Sequence, residues 1–188
     1  MSRLTPLEIG ELSAEQREVY DAMQSGPRGV GRRLGLVGPF GVWVRSPKIG
    51  HAAQAFGAVA RFETSLPERR KEIAICAVGA HYKAKFEFAA HGAMAVAAGV
   101  PEAVVDAIRR GEPPRFDDAT DALTYHLTTE LLRDHRIRDE TYAEARDTFG
   151  ESALIELVSI IGYYCLVSLT LNAFEVPLTA TMHDPFPD

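Results

Sequence analysis

Hydrophobic positions recur at three- and four-residue spacing through most of the chain. No run alternates apolar and polar with period two, so the pattern predicts helices and no strand. Capping residues, glycines and prolines set the expected limits. Ser13 followed by Gln16 is a capping box, and the helix it opens is expected to run to about Met23. Between Ser25 and Gly41 lie six glycines and two prolines, too many for an amphipathic helix, so this stretch is expected to be a loop. Ser46-Pro47 starts a helix reaching about Glu63. Ser65-Leu66-Pro67-Glu68 reads as a second capping box opening a helix through about Val78, with a break at Gly79 and His81. Further helices are expected over 83–98, closed by Gly99 and Pro101, and over 101–110, closed by Gly111. The last three are expected over 118–133, 139–149 and 151–174, and Pro185 and Pro187 mark a loose tail from Pro177 on. The chain therefore divides into an N-terminal helix and glycine-rich arm (1–46), a core (47–112), C-terminal helices (113–176) and a tail (177–188).

Composition narrows the class. With 188 residues, 46% of them hydrophobic and 24% charged, the chain is a folded all-α protein of about one domain, not a disordered one. A net charge of −6 argues against a nucleic-acid partner. The first ten residues hold Arg3 and Glu8 and lack a signal-peptide core, so a cytoplasmic location is expected. Leu157 to Phe174 carries no charge over 18 residues, the lower limit for a membrane span. It is interrupted by Ser159, Gly162, Ser168, Thr170 and Asn172 and flanked by Glu156 and Glu175, whereas spans are anchored by Lys and Arg. A core or subunit-interface helix fits better, so a homo-oligomer without a membrane partner is expected. Segments 72–91 and 156–175 echo one another faintly, each opening on Glu and ending rich in Phe and Ala.

The chemistry gathers around one segment. Glu87 and His91 are four residues apart, so they meet on one helix face, and a carboxylate beside an imidazole brings it into use as a proton donor or acceptor. The flanking Phe86, Phe88, Ala89 and Ala90 are apolar or small, and a charged pair among such residues is costly unless satisfied or used. Folding back at Gly79 would bring Glu72 to the same place, with Cys76 one turn after it. On spacing alone, a surface Glu–His pair is the plainer reading. Glu72, His81, Glu87 and His91 are conceivable metal ligands, but there is no His-Glu-x-x-His, and no metal is expected. Cys76 and Cys165 are 89 positions apart with no Cys-x-x-Cys, which excludes a disulfide scaffold and a cysteine zinc site. The glycine-rich loop lacks Gly-Lys-Ser/Thr. Its Arg28, Arg32 and Arg33 could meet an anion, a solvated loop or subunit contact being the plainer reading.

Three stretches carry a resemblance: Leu66-Pro67-Glu68-Arg69-Arg70-Lys71-Glu72-Ile73, Glu87-Phe88-Ala89-Ala90-His91 and Ala97-Ala98-Gly99-Val100. Together they resemble the carboxymuconolactone decarboxylase family, which shares an all-helical superfamily with the alkylhydroperoxidase D-like proteins. The match runs from about Pro47 to Gly111, and Arg45-Ser46-Pro47 and the stretch from Asn172 to Leu178 are similar to its longer members. In the peroxidase branch a Cys-x-x-Cys precedes the His; here those positions are Ala84 and Glu87, so the dithiol route lacks its atoms. The decarboxylase branch has Glu-Phe/Trp-x-x-His, which Glu87 to His91 match.

The resemblance implies a cofactor-free lyase or isomerase of a small lactone or carbonyl acid. His91 would be the general acid/base, Glu87 its partner and Glu72 a second proton-handling or orienting carboxylate, with His81, Tyr82, Cys76 and Phe88 lining the pocket. Cys76 and Cys165 read as packed residues. The motif supplies no Arg for an anionic substrate, which would have to come from Arg45 or the loop. The rivals are an alkylhydroperoxidase-like antioxidant (peroxiredoxin) activity resting on Cys76 alone, and a non-catalytic oligomer that binds a small ligand or only assembles.

Overall fold

The computed structural model describes residues 2–31 and 33–187, so Met1, Arg32 and Asp188 lie outside it. Among the described residues the protein is all-α. The helices are α1 (Ala14–Ser25), α2 (Pro39–Trp43), α3 (Pro47–Phe62), α4 (Glu68–His81), α5 (Lys85–Ala97), α6 (Glu102–Arg110), α7 (Ala119–Asp134), α8 (Asp139–Phe149) and α9 (Glu151–Ala173).

The hub is α4. Every residue from Lys71 to Gly79 is buried, and α5, α6, α7 and α9 all pack on it. A helix enclosed on all sides has no polar face, which is why its sequence is apolar through the middle. The large core joins Leu66, Ile75 and Val78 to Leu123, Leu127 and the inner side of α9. A second cluster packs Ile73, Cys76 and Phe88 against Val104, Val105 and Ile108.

Several caps are as expected. Ser13 and Gln16 form a reciprocal capping box, Asp118 accepts from Thr120 N and Asp121 N, and Gly99 (φ 88°) and Gly111 (φ 71°) end their helices in the left-handed region. Other expectations are corrected. Ser65 does not cap α4, because its N–H and hydroxyl both donate to Glu156 on α9, at 2.8 and 2.7 Å; the N-cap is Pro67. Gly79 is no break. The helix runs on to His81 and reverses at Tyr82–Ala84, where Lys83 takes φ 50°. A Cβ at 79 would make only ordinary contact with Phe88, at 3.4–3.5 Å, so this buried position sits inside the α4–α5 contact without ending the helix. The glycine-rich stretch is not all loop: Pro39 begins α2, which buries Trp43. The tail is irregular yet held down, with Asp184 on Lys85 at 2.7 Å, Pro185 O on Arg109 at 3.0 Å, and Phe186 on Phe88 at 5.2 Å between ring centroids. The echo of 72–91 in 156–175 is not structural, since the first spans a helical hairpin and the second one helix.

Candidate active site

Two helices deliver the three acid–base groups. Glu72 comes from the second turn of α4, and Glu87 and His91 share the inner face of α5. Glu72 is fully buried, Glu87 and His91 nearly so. His91 Nδ1 lies 2.7 Å from Glu72 Oε2, so the Nδ1–H tautomer donates to that carboxylate. On the other side of the ring, His91 Nε2 lies 3.2 Å from Glu87 Oε1. That contact is off the hydrogen-bonding direction and leaves Glu87 Oε1 without a hydrogen-bond partner. Tyr164 packs edge-on against the imidazole, with centroids 5.0 Å apart.

A fourth group was not legible in the motif. Arg61, in the last turn of α3, places Nη2 2.8 Å from Glu72 Oε1, so Glu72 is bridged between a guanidinium and an imidazole. Lys71 holds the end of α3 by donating to Arg61 O at 2.6 Å, and it pairs with Glu68 at 3.0 Å. Arg61 Nη1 is buried and has no hydrogen-bond partner. The inward positions of α3 are Gly50, Ala53, Gly57 and Ala60, a stripe of small residues. An arginine one turn after Gly57 was the available sequence signal.

Gly57 makes a second convergence possible. A Cβ there would lie 1.9 Å from Tyr163 Oη and 2.6 Å from Arg28 Nη2, so only glycine lets those two groups approach the helix. The Arg28 guanidinium lies over Phe40 and Phe62 and donates to Gln54 O at 3.1 Å. Of the loop arginines, Arg28 therefore reaches the neighbourhood of Arg61 and the tyrosines, Arg33 is exposed, and Arg32 is outside the described residues. Arg45 points elsewhere, donating to Gly41 O and Thr5 O beside a half-open depression of about 340 Å³.

Electrostatics set the protonation. Burial pushes the Glu87 carboxyl up to about 7; His91 opposes this and the neighbouring Glu72 adds to it. Burial alone would depress His91, but Glu87 and Glu72 outweigh it and raise its pKa. Near neutral pH Glu87 and His91 therefore compete for a proton. The Cys76 thiol is driven well above its usual value, by burial first and then by Glu72 and Glu87.

Among the remaining expected pocket residues, Cys76 lies within electrostatic reach of Glu72 and Glu87, while His81, Tyr82 and Phe88 pack elsewhere. His81 sits more than two turns beyond Glu72 on α4 and lines a separate depression with Ile108 and Tyr125. The four-ligand set that includes it does not assemble, and no group of three His, Cys, Asp or Glu among the described residues is arranged to hold a metal ion. Tyr82 stacks edge-on with His81 and packs on the large core. Phe88 and Cys76 belong to the second cluster. Cys165 is partly buried at the edge of the large core.

The architecture has solved counterparts. One is described as the alkylhydroperoxidase AhpD core of an uncharacterized peroxidase-related protein from Ralstonia eutropha JMP134. It superposes with a TM-score of 0.77 at 15% identity, over 95% of this chain and 93% of that one. The fold is the AhpD core. A second match is an uncharacterized peroxidase-related protein from Silicibacter sp. TM1040, with a TM-score of 0.71 at 15% identity, over 96% of this chain and 91% of the other. No family model and no curated protein sequence matches the chain.

Proposed function

We propose that this AhpD-core protein is a cofactor-free acid–base enzyme, a lyase or isomerase of the carboxymuconolactone decarboxylase type acting on a small lactone or carbonyl acid. The observation that carries the reading is the buried Glu72–His91–Glu87 triad, with Glu87 held near 7 and its Oε1 unpaired. A group poised near working pH transfers protons best in either direction. As a decarboxylase, the substrate would lose CO₂ and leave the bonding electron pair as a carbanion or enolate. His91 would protonate that carbon and regain its proton through Glu87. As an isomerase, the same imidazole would take a proton from one carbon and return it to another. Glu72 orients the ring through Nδ1 and Arg61 holds Glu72. Arg61 and Arg28 are the cations within reach for a substrate carboxylate. A cytoplasmic homo-oligomer with no nucleic-acid or membrane partner completes the proposal.

Two rivals stand differently against these observations. The antioxidant reading needs a reactive thiolate, and Cys76 is fully buried with its pKa raised. The non-catalytic reading draws support from the near-complete burial of the triad and from depressions lined by other residues. The test is to incubate wild type and His91→Ala with small lactone and carbonyl acids in D₂O, following CO₂ release and deuterium entry into carbon. Wild type should turn over at least one, and His91→Ala should be slower by roughly 10²–10⁴. Equal rates would remove His91 from the mechanism, and absence of turnover by wild type on every acid would favour the non-catalytic oligomer.

A further inference from the structure

Helix α9 is long and apolar enough to span a membrane, yet only about half of its most apolar stretch is buried. Its outward positions form a pattern. Ile155 (59% exposed), Val158 (39%), Leu166 (44%) and Leu169 (53%) are exposed, and nothing lies within 4 Å of where a Cβ on Gly162 would be. At 100° per residue these five positions fall within about 80° of one another. They are also symmetric about Gly162: Val158 and Leu166 are four residues to either side, Ile155 and Leu169 seven. Helix α3 lies antiparallel beside α9, with Ser65 on Glu156 at one end and Phe56 on Tyr163 further along. It exposes Ile49, Ala52, Phe56 and Val59 at the same spacing.

We infer that this two-helix face is the seat of a second copy of the chain, docked about a two-fold axis through Gly162. A stripe symmetric about its midpoint is self-complementary in the antiparallel sense, as an isologous dimer requires. Around that axis Ile155 meets Leu169 of the second copy, Val158 meets Leu166, and Gly162 meets itself where the backbones approach closest.

Charge fits the same arrangement. Two chains of net charge −6 repel, and α9 brings no charge to this face between 157 and 174. At its end, Arg3 is held against Ala173 O and Glu175 with its side chain exposed. The crossing sets residue 173 opposite Glu151 of the second copy, bringing Arg3 to a carboxylate at the rim. Area also suffices. Helices of 16 and 23 residues, each about 10 Å across, offer roughly 1,100 Å² over two copies, above the approximately 1,000 Å² expected of a specific interface. The inner sides of the same helices carry Arg61, Tyr163 and Tyr164, so the second copy clamps the roof of the triad.

The full chain is tested by sedimentation and by cysteine cross-linking in a Cys165→Ser background. Wild type should sediment as a dimer at micromolar concentration. Gly162→Cys should self-link under mild oxidation. Ile155→Cys and Leu169→Cys should link when mixed and stay unlinked when separate. Val158→Glu with Leu166→Glu should weaken association by roughly a hundred-fold, since each buries an unpaired charge, with circular dichroism confirming retained helix. If that variant unfolds, the Gly162→Cys cross-link decides. A monomeric wild type, a dimer that Gly162→Cys fails to link, or a monomer that sediments with phosphatidylcholine vesicles would each overturn the inference.

Discussion

The protein contains two Glu–His pairs at four-residue spacing, and they behave in opposite ways. In α5, Glu87 and His91 are both buried, with Glu72 a third member. In α7, Glu130 is buried while His126 is half-exposed, with Nε2 of the imidazole 3.8 Å from Glu130 Oε2. Burial pushes both glutamates up. At Glu130 that push is overcome by Thr141 and by Arg138, whose Nε and backbone N–H both donate to Oε1, so its pKa is lowered. Glu87 has no such donor and a second carboxylate for a neighbour, so its pKa rises to about 7. Glu130 thus fastens the start of α8 and has no proton to offer at neutral pH. The lesson is that donors, more than burial, separate a structural carboxylate from a reactive one.

The sharpest way to break the comparison is to remove the carboxylate that ties the triad together. Glu72→Ala removes the buried carboxylate that Arg61 faces as an ion pair and His91 uses as an acceptor. It should cost about 3–5 kcal/mol in urea unfolding. A loss below about 1 kcal/mol would mean that water reaches these groups and that the triad is not sealed.

The next effect lies in pH. A raised carboxyl pKa stabilises the protein fully below its unfolded value near 4.5, and this contribution is lost as pH rises through about 7. At roughly 1.4 kcal/mol per unit, wild type should lose on the order of 3 kcal/mol relative to Glu87→Gln across that window. His91, also raised, acts in the same direction at higher pH. Glu130 has the opposite sign: its contribution is present above about 4.5 and lost as pH falls through its lowered value. Unfolding from pH 2 to 8 should show wild type losing ground to Glu87→Gln between about 4.5 and 7, and losing its advantage over Glu130→Gln only below about 4.5. Parallel curves would refute the electrostatic contrast.

Those opposite signs mark where sequence reading stops. Most helix limits were legible because they are local: Ser13, Asp118, Gly99 and Gly111 act within a turn of themselves. Glu87 with His91 was legible as a pair, and Glu72 as its third member from the expected fold-back between the helices and from the resemblance. Spacing could not distinguish that pair from His126 with Glu130, because Arg138, Thr141 and Glu72 arrive from other turns or helices. Arg61 was missed for the same reason, since its partner lies across a helix–helix contact. Gly79 was misread because a glycine buried inside a helix and one that ends a helix are the same letter. The tail was misread because its prolines forbid a helix without forbidding contacts such as Phe186 on Phe88.

The smallest expected effect probes the weaker member of the comparison. His126 is exposed enough for water to screen it, and Glu130 already has Arg138 at hydrogen-bond distance. The imidazole Nε2 also lies 3.2 Å from Arg138 Nη2, so it sits beside a guanidinium that already serves Glu130. His126→Ala should therefore change stability by less than about 0.5 kcal/mol, the scale of an exposed ion pair on a helix. Its pH profile should overlay that of wild type, because no buried group changes its partner. A loss of 2 kcal/mol or more would show that His126 carries Glu130 as His91 carries Glu87. The two pairs would then differ in degree of exposure and not in kind.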